Sequence, residues 1–532
     1  MITRIKARNY RCYPALDFKP HRTTNILVGG NESGKSTLLE IISLLITGKV
    51  NGRWAADELN PYWFNQDSVE AFYEDLLDGK SPDLPTIELE LYLESTDGEV
   101  ARLRGMVNSE KEDTAGIRMT IQPAVDSQEE RDAYFAGDNP PHILPSDLYA
   151  ISWKSFAGET ITRQPRGLGL SVINAAQTSG RTGVESKVRE LVRDFVTPTE
   201  SANIALAHRK LRAQLDAGIL GEVNRRVGDE SENFELILKM DQSANSRWET
   251  SVSPHVGTVP FSMLGRGRQV ATQIALAMAR SADRTQFVLI EEPENHLSHI
   301  ELQKLLDSIN ALAAGRQTFI ATHSSYVLNR LGFDSLQLVG DRKIVQLSSG
   351  AISEDTVRFF QKQPGFDTLR LAVSKKVVIV EGPSDEMLFN LAFKHVTGSE
   401  PRDKAIDVIP FGIRGKRALE LAKSVGTKVA VLRDNDGSPP DHWRKQAGDL
   451  ISPGKQEMFI GDTEHGRTLE YQVSSHGNES ALKHHFELEA ECDVTEYMLE
   501  NKTEWAWRIA DGDVQLNWPG YIRAAIEFID AD

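Results

Sequence analysis

Cysteine is nearly missing from this chain: among 532 residues only Cys12 and Cys492 are cysteines, and they lie far apart. That excludes a disulfide framework and any zinc site built on four cysteines or on a close cysteine pair, and it suits a reducing cytosol. Long apolar runs are missing too. No stretch approaches the roughly 20 apolar residues of a membrane span, and Met1-Ile2-Thr3-Arg4-Ile5-Lys6 lacks the apolar core of a secretory signal. A cytoplasmic protein without a membrane partner is expected. Nor is there a basic excess, since 60 Lys and Arg stand against 77 Asp and Glu, a net charge of −17. A non-specific nucleic-acid coat protein is normally basic, so the balance counts against that class. It leaves nucleic-acid enzymes open, because carboxylates gathered around metal ions add negative charge. There is also no internal repeat, low-complexity tract or sustained heptad run.

What is present is too much chain for one hydrophobic core, so at least two domains are expected. The first residues alternate at Ile5, Lys6, Ala7 and Arg8, as in a short strand. The run Thr24-Asn25-Ile26-Leu27-Val28 reads as a second strand leading into Gly29 and Gly30, and Leu38 to Leu45 reads as a buried helix. Residues 51–85 are aromatic, acidic and turn-rich, and read as an insertion. Strands are predicted at 86–94, 99–107 and 117–122, followed by an irregular stretch around Pro140, Pro141 and Pro145. From 184 to 226, Val188, Leu191, Val192, Phe195, Ile204, Leu206, Leu211 and Leu215 recur at helical spacing among charged residues. That stretch predicts a helical insert, either a lid or a self-association arm, or else an ordinary amphipathic helix pair packed on its own domain. Beyond a boundary within 340–372, strands at 376–380, 406–410 and 428–432 alternate with helices at 384–396 and 415–424. Such alternation predicts a second, parallel sheet.

Gly29-Gly30-Asn31-Glu32-Ser33-Gly34-Lys35-Ser36 matches the phosphate-binding pattern G-x-x-x-x-G-K-S/T in full. Glycines let backbone N–H groups curl around phosphate oxygens that side chains would block. Gly29, Asn31, Gly34 and Thr37 are assigned to that cradle, Lys35 to the β- and γ-phosphates of ATP, and Ser36 to Mg²⁺. The helix opening at 35 adds its positive N-terminal end. Phe287-Val288-Leu289-Ile290-Glu291-Glu292 is an apolar strand ending in acids. In a P-loop ATPase the first acid holds Mg²⁺ through water and the next polarises the attacking water, the roles given to Glu291 and Glu292. Thr318 to Thr322 is a further apolar strand, and His323 at its end is positioned to sense the γ-phosphate. Leu264-Gly265-Arg266-Gly267-Arg268-Gln269 is a glycine turn before a helix and suits the nucleotide of a second subunit.

In this order, and with Asn9-Tyr10-Arg11 after the first strand, these pieces resemble the ABC-type ATPases of the SMC, Rad50 and RecF group. Leu264 to Gln269 takes the place of their signature loop. Two departures stand out: Glu291 replaces the usual aspartate, and the signature serine is not plainly present.

A second set of acids follows. Lys376-Val377-Val378-Ile379-Val380-Glu381-Gly382 is a strand ending in glutamate, and Val429 to Arg433 is a strand ending in Asp434-Asn435-Asp436. In a parallel sheet such ends converge on one edge, where sites form. Glu381, Asp434 and Asp436 together form a like-charge cluster that Mg²⁺ or Mn²⁺ would relieve, and two such ions support phosphodiester hydrolysis. With Phe411-Gly412-Ile413-Arg414-Gly415-Lys416 between them, the acids match the Toprim pattern.

An ABC-type ATPase followed by a Toprim domain resembles the layout of the OLD (overcoming lysogenization defect) nucleases. The resemblance implies an α/β protein: an ABC-type P-loop ATPase domain over 1–345 with a helical, dimerising insert at about 180–230, a linker over 346–372, and a Rossmann-like Toprim domain with a parallel sheet over 373–532. It implies ATP-regulated, two-metal cleavage of DNA, often in anti-phage defence. Thr468-Leu469-Glu470 and Lys502 stand where the family has a further glutamate and a lysine. By that resemblance Glu470 and Asp385 are metal ligands, and Lys502 stabilises the pentavalent phosphate. The partners implied are DNA, a second copy or a homotetramer, and in some members a helicase-like or other protein of the same defence locus. A non-cleaving, RecF-like DNA-binding ATPase is the competing reading. Intact Glu381, Asp434 and Asp436 argue against it. Nothing in the residues selects DNA over RNA.

Overall fold

The computed structural model describes residues 1–30, 32–50, 52–136, 141–174, 195–230, 237–241, 248, 252–279, 285–295, 297–312, 315–324, 327, 335–340, 342–346, 352–362, 370–371, 374–412 and 415–531. Asn31, residues 184–194 of the expected insert, Ile413, Arg414 and much of the 346–372 linker lie outside them. The chain divides into two compact units, one made of Pro165–Thr318 with Met1, the other of Ile2–Gln164 and Phe319–Asp532.

In the first unit, strand Leu170–Asn174 pairs in parallel with Phe287–Glu291, and the register sets Asn174 opposite Glu291. The expected helical insert is seen as helices Pro198–Ala217 and Ile219–Glu230. Pro198 opens the first of these, and Thr197 and Glu200 form a capping box: Glu200 N–H donates to Thr197 Oγ1 at 3.3 Å and Thr197 N–H to Glu200 Oε2 at 2.8 Å. Helix Arg266–Ala279 follows the glycine turn as predicted, and helix His299–Leu312 follows the acidic strand.

The second unit opens with an antiparallel sheet. Ile2–Tyr10 lies between Tyr13–Phe18 and Ile87–Leu93, and Thr114–Pro123 then pairs with Tyr149–Ser155. The predicted strand at 99–107 is instead a helical turn, Gly98–Ala101, followed by the short strand Arg104–Gly105. Asp97 accepts from Glu99 N–H at 2.9 Å, and this cap favours the helical turn over the extended chain. Within 51–85, helix Gln66–Leu77 buries Val69, Phe72 and Tyr73, one apolar stripe. The P-loop strand Thr24–Val28 pairs in parallel with Leu336–Gly340, which pairs antiparallel with Lys343–Gln346.

Four of the described strands form the C-terminal sheet in the order Ile406–Pro410, Lys376–Val380, Lys428–Arg433, Gln456–Ile460. All neighbours are parallel. Alternate residues of each strand point to opposite faces. Val378, Val380, Ala430 and Leu432 pack with Phe389, Phe393, Trp505, Ile522 and Ile526. Val377, Ile379, Val429 and Val431 pack with Leu419 and Ala422, and the same cluster takes in Ile26, Val28, Leu336 and Leu338. Burial on both faces is why these strands read as uninterrupted apolar runs.

Candidate active site

The strand order of the C-terminal sheet reverses between Lys376–Val380 and Lys428–Arg433: the crossover from the first strand runs one way and the later ones run the other. Open parallel sheets bind ligands beyond the strand ends at such a point. Glu381 follows the first of these strands and Asp434 the second, and the register Ile379↔Val431 brings both to the same edge.

Four carboxylates interact there. Asp434 is raised from 3.8 to about 8, first by burial and then by Asp385, Glu381 and Glu470. Asp385 is raised from 3.8 to about 7 by burial and then by Glu381. Burial also pushes the Glu381 carboxyl up; Arg433 opposes this, and Asp436 adds to it. Asp434 Oδ2 accepts from Leu469 N–H at 3.2 Å. Its Oδ1, like Glu381 Oε1, is buried without a hydrogen bond, and the nearest ion-pair contact of Glu381 Oε1 is Arg433 Nε at 4.0 Å. Buried acceptors left without donors are costly, and a hard divalent cation is the partner their chemistry fits. Asp385 caps its own helix, accepting from Gly382 N–H at 3.0 Å. Glu470, in the first turn of helix Leu469–Ser475, accepts from Thr468 Oγ1 at 2.6 Å.

The remaining predicted residues stand farther out. Asp436 is exposed, has a left-handed φ of 49°, and pairs with Arg433 Nη2 at 2.8 Å. Lys502 is exposed at the junction of helices Val494–Asn501 and Thr503–Asp511.

Sequence reasoning missed the residues that hold the acids in place. The Arg433 guanidinium lies 3.5 Å over the Trp443 ring. Asn435 is buried and donates to the carbonyls of Asp462 and Gly466 at 2.5 and 2.6 Å, while its Oδ1 accepts from Gly437 N–H at 2.7 Å. The Tyr521 phenol is held well above its usual range by burial and then by Asp434, Asp385 and Glu381. A buried asparagine between the two aspartates is a readable sign of a tied loop. Tyr521, far along the chain, gives no such sign.

In the P-loop, Lys35 is buried and its ammonium donates to the carbonyls of Gly29 and Gly30 at 2.9 and 2.8 Å. Helix Lys35–Thr47 begins there, so Ser36 and Thr37 sit in its first turn. Cys12 Sγ lies 3.6 Å from Thr37 Oγ1. A Cβ on Gly29 would stand 2.0 Å from Val339 O, and Gly34 has φ 106° with Tyr13 Oη against it. Both positions require glycine. Arg11 pairs with Glu40 at 2.8 Å, and Tyr10 also donates to Glu40, anchoring the Asn9-Tyr10-Arg11 turn on the P-loop helix. His323 is exposed at the end of strand Gln317–Thr322. In the other unit, Asn174 donates to Glu291, and Asn295 Nδ2 to Glu292 Oε2 at 2.5 Å. Glu292 itself has φ 50°. Gln269 ties the glycine turn to its helix, donating to the carbonyls of Phe261 and Leu264 at 2.9 and 3.1 Å.

Comparison with known proteins adds to this geometry. A family model for the Toprim domain of overcoming lysogenization defect protein-like proteins matches residues 373–436. An AAA ATPase domain model matches 1–123, and an AAA domain model described for the AbiEii toxin of a type IV TA system matches 189–329. No curated protein matches the chain. Similar solved structures include the SMC head domain from Thermotoga maritima, 12% identical, covering 63% of this chain and 94% of that one with a TM-score of 0.29. The Smc head domain from Pyrococcus furiosus bound to the C-terminal domain of ScpA is 14% identical, with 68% and 98% covered and a TM-score of 0.35. The recombination mediator RecF is 11% identical, with 65% and 98% covered and a TM-score of 0.34. ATPase models thus match 1–123 and 189–329 and an OLD-like Toprim model matches 373–436, which supports an ATPase fused to a Toprim domain similar to that of overcoming lysogenization defect (OLD) proteins.

Proposed function

We propose that this protein is an ATP-regulated, metal-dependent DNA endonuclease acting in anti-phage defence. The observation that carries the reading is the pair of buried carboxylate oxygens, Glu381 Oε1 and Asp434 Oδ1, which lack hydrogen bonds at the switch point of a parallel sheet. Glu381, Asp385, Asp434 and Glu470 are the residues to hold two Mg²⁺ or Mn²⁺ ions, with Asp436 at the rim. Such ions supply Lewis-acid stabilisation of phosphate oxygens and activate water at neutral pH. The chain's own groups do the rest. Leu469 N–H and Asn435 fix the orientation of Asp434, the Gly382 cap fixes Asp385, and Arg433 holds Asp436 outward. Lys502 is assigned to the charge that builds on the phosphate in the transition state.

The ATPase domain binds ATP through Gly29, Asn31, Gly34, Lys35, Ser36 and Thr37, with Glu291 toward Mg²⁺, Glu292 toward water and His323 toward the γ-phosphate. The domain limits proposed are 1–345 and 373–532, joined by 346–372. Helix Pro198–Ala217 and its neighbour expose Ile204, Leu206, Leu211 and Ile219, which supports self-association into a dimer or tetramer. A cytoplasmic location follows from this reading. Among the described residues no helix is long and apolar enough to cross a membrane.

The test is cleavage of supercoiled plasmid and linear duplex by wild type, Glu381→Ala and Lys35→Ala, with Mg²⁺ or Mn²⁺ and with or without ATP. Cutting that disappears in Glu381→Ala establishes the nuclease, and the Lys35→Ala lanes show whether ATP gates it. Intact ATP hydrolysis with no cutting of DNA or RNA in any lane would replace this reading with a non-cleaving DNA-binding ATPase.

A further inference from the structure

Beside the carboxylate cluster lies a second group of potential ligands with different chemistry. Asp462, His465 and His476 each offer one ligand atom, and these atoms lie within 4.8 Å of one another. Asp462 stands just past strand Gln456–Ile460, His465 is in the loop that follows, and His476 caps helix Leu469–Ser475. The two imidazole rings are 4.2 Å apart, inclined by 33°. His476 Nδ1 is 2.6 Å from the carbonyl of Gln472, so its N–H lies on that side and Nε2 carries the free lone pair. His465 Nδ1 is 2.8 Å from Asp462 Oδ1, an oxygen that also accepts from the His465 backbone N–H at 2.8 Å, so the loop already holds the imidazole beside the carboxylate. The Asp462 and His465 side chains are 46% and 38% exposed, which leaves an entry path from solvent.

We infer that Asp462, His465 and His476 form a binding site for a transition-metal ion, of which Zn²⁺ is the physiological candidate. Two imidazoles and one carboxylate select Zn²⁺ over Mg²⁺, which takes oxygen ligands in octahedral array. A tetrahedral zinc with bonds of about 2.1 Å needs ligand atoms about 3.4 Å apart, so a closure of at most about 1.4 Å completes the set and leaves a fourth position for water. The site is independent of the nuclease reading, because none of its residues belongs to the Glu381, Asp385, Asp434 and Glu470 set.

Its consequence is mechanical. Asn435, between Asp434 and Asp436, and Gln472 both donate to the carbonyls of Asp462 and Gly466, the two ends of the loop that carries His465. The chain then runs through Thr468 to Leu469, whose N–H holds Asp434. An ion bridging Asp462, His465 and His476 pins this loop to the helix that bears Glu470. It acts as a clamp on the D-x-D segment.

The test uses the full chain, stripped with chelator, loaded with Zn²⁺ and passed through gel filtration in millimolar Mg²⁺, which saturates the hard carboxylate site. We expect one zinc per chain in wild type and in Glu381→Gln, and less than a tenth of that in His465→Ala and His476→Ala. Equal zinc in wild type and both histidine variants would overturn the proposal, as would zinc washed out of wild type. Should the variants misfold by circular dichroism, zinc-edge X-ray absorption on wild type decides. Scattering from two imidazoles supports the site, and an all-oxygen shell refutes it.

Discussion

Removing the charge of Asp434 should stabilise the metal-free protein, and the gain should grow with pH. The folded-state carboxyl holds its proton up to about 8, whereas the unfolded one loses it near 3.8. Between those values the native state binds the extra proton, so stability falls as pH rises, the reverse of the usual salt-bridged aspartate. Each pKa unit corresponds to about 1.4 kcal/mol, so this window gives a ceiling of roughly 6 kcal/mol for a single isolated group. Asp434 is coupled to Asp385, Glu381 and Glu470 and keeps some solvent contact, so about 2–3 kcal/mol is the reasonable size. Asp385, raised to about 7, steepens the same fall over a slightly narrower window. In EDTA, wild type is expected to melt several degrees lower at pH 8 than at pH 5, and Asp434→Asn should flatten that slope. Millimolar Mg²⁺ should raise the wild-type melting temperature more at pH 8 than at pH 5, because ionised carboxylates bind it. Differential scanning fluorimetry across pH 5–8 measures all of this. A wild-type melting temperature that is flat or rising with pH in EDTA, or that Asn at 434 leaves unchanged, would refute the picture of uncompensated buried acids.

Gly29→Ala places a Cβ 2.0 Å from the Val339 carbonyl, so the P-loop must shift; a fluorescent ATP analogue should bind at least tenfold more weakly, at unchanged Mg²⁺. Asn435→Ala removes one of the two donors, the other being Gln472, to the carbonyls of Asp462 and Gly466, and a loss of about 1–2 kcal/mol in urea titration is expected, together with weaker Mn²⁺ binding by calorimetry. Trp505 is fully buried in the core on one face of the C-terminal sheet. Trp505→Ala should cost about 3–5 kcal/mol and lower the unfolding midpoint of that domain, while ATP binding at the P-loop persists.

What the sequence disclosed and what it hid follow from one physical distinction. Strands Thr24–Val28, Lys376–Val380 and Ile406–Pro410 are legible to the residue because they are buried on both faces and bounded by glycine, proline or acids. Glu381 and Asp434 were legible for the same reason: a charged residue that ends such a run must lie at the sheet edge. Where local capping decides the structure, the apolar pattern misleads. Val100 and Leu103 are both buried, yet Asp97 turns the first into a helix and leaves only Arg104–Gly105 extended. Helix Gln66–Leu77 spends just three buried residues on its stripe, too few to stand out among its acids. The supports of the site are set by tertiary packing, and no spacing encodes them. Trp443 meets Arg433 across a loop and helix, and the Tyr521 phenol, on helix Gly520–Asp530, lies within the field of the acids. The Asp462, His465 and His476 group follows no recognised metal spacing; folding of a loop against a helix end brings it together.

A single packed cluster also bears on how nucleotide and nuclease chemistry can communicate. Ile26 and Val28 lie in the strand that feeds the P-loop, and Leu336 and Leu338 are their register partners or next to them. These side chains share one buried cluster with Val377 and Ile379, which lead to Glu381, and with Val429 and Val431, which lead to Asp434. Close-packed interiors are stiff and respond to displacement by switching arrangements, not by yielding smoothly. A shift of the P-loop strand when phosphate replaces the Gly29 and Gly30 carbonyls as the partner of Lys35 would press directly on the side chains beneath both acid-bearing strand ends. Among the described residues, the cluster on the opposite face of the same strands draws its side chains from 378–529 and includes none from the P-loop strand. On the proposed function, core substitutions at Ile26 or Val377 should alter the ATP dependence of cleavage, whereas equally destabilising ones at Phe389 or Ile526 should lower cleavage at all ATP concentrations alike.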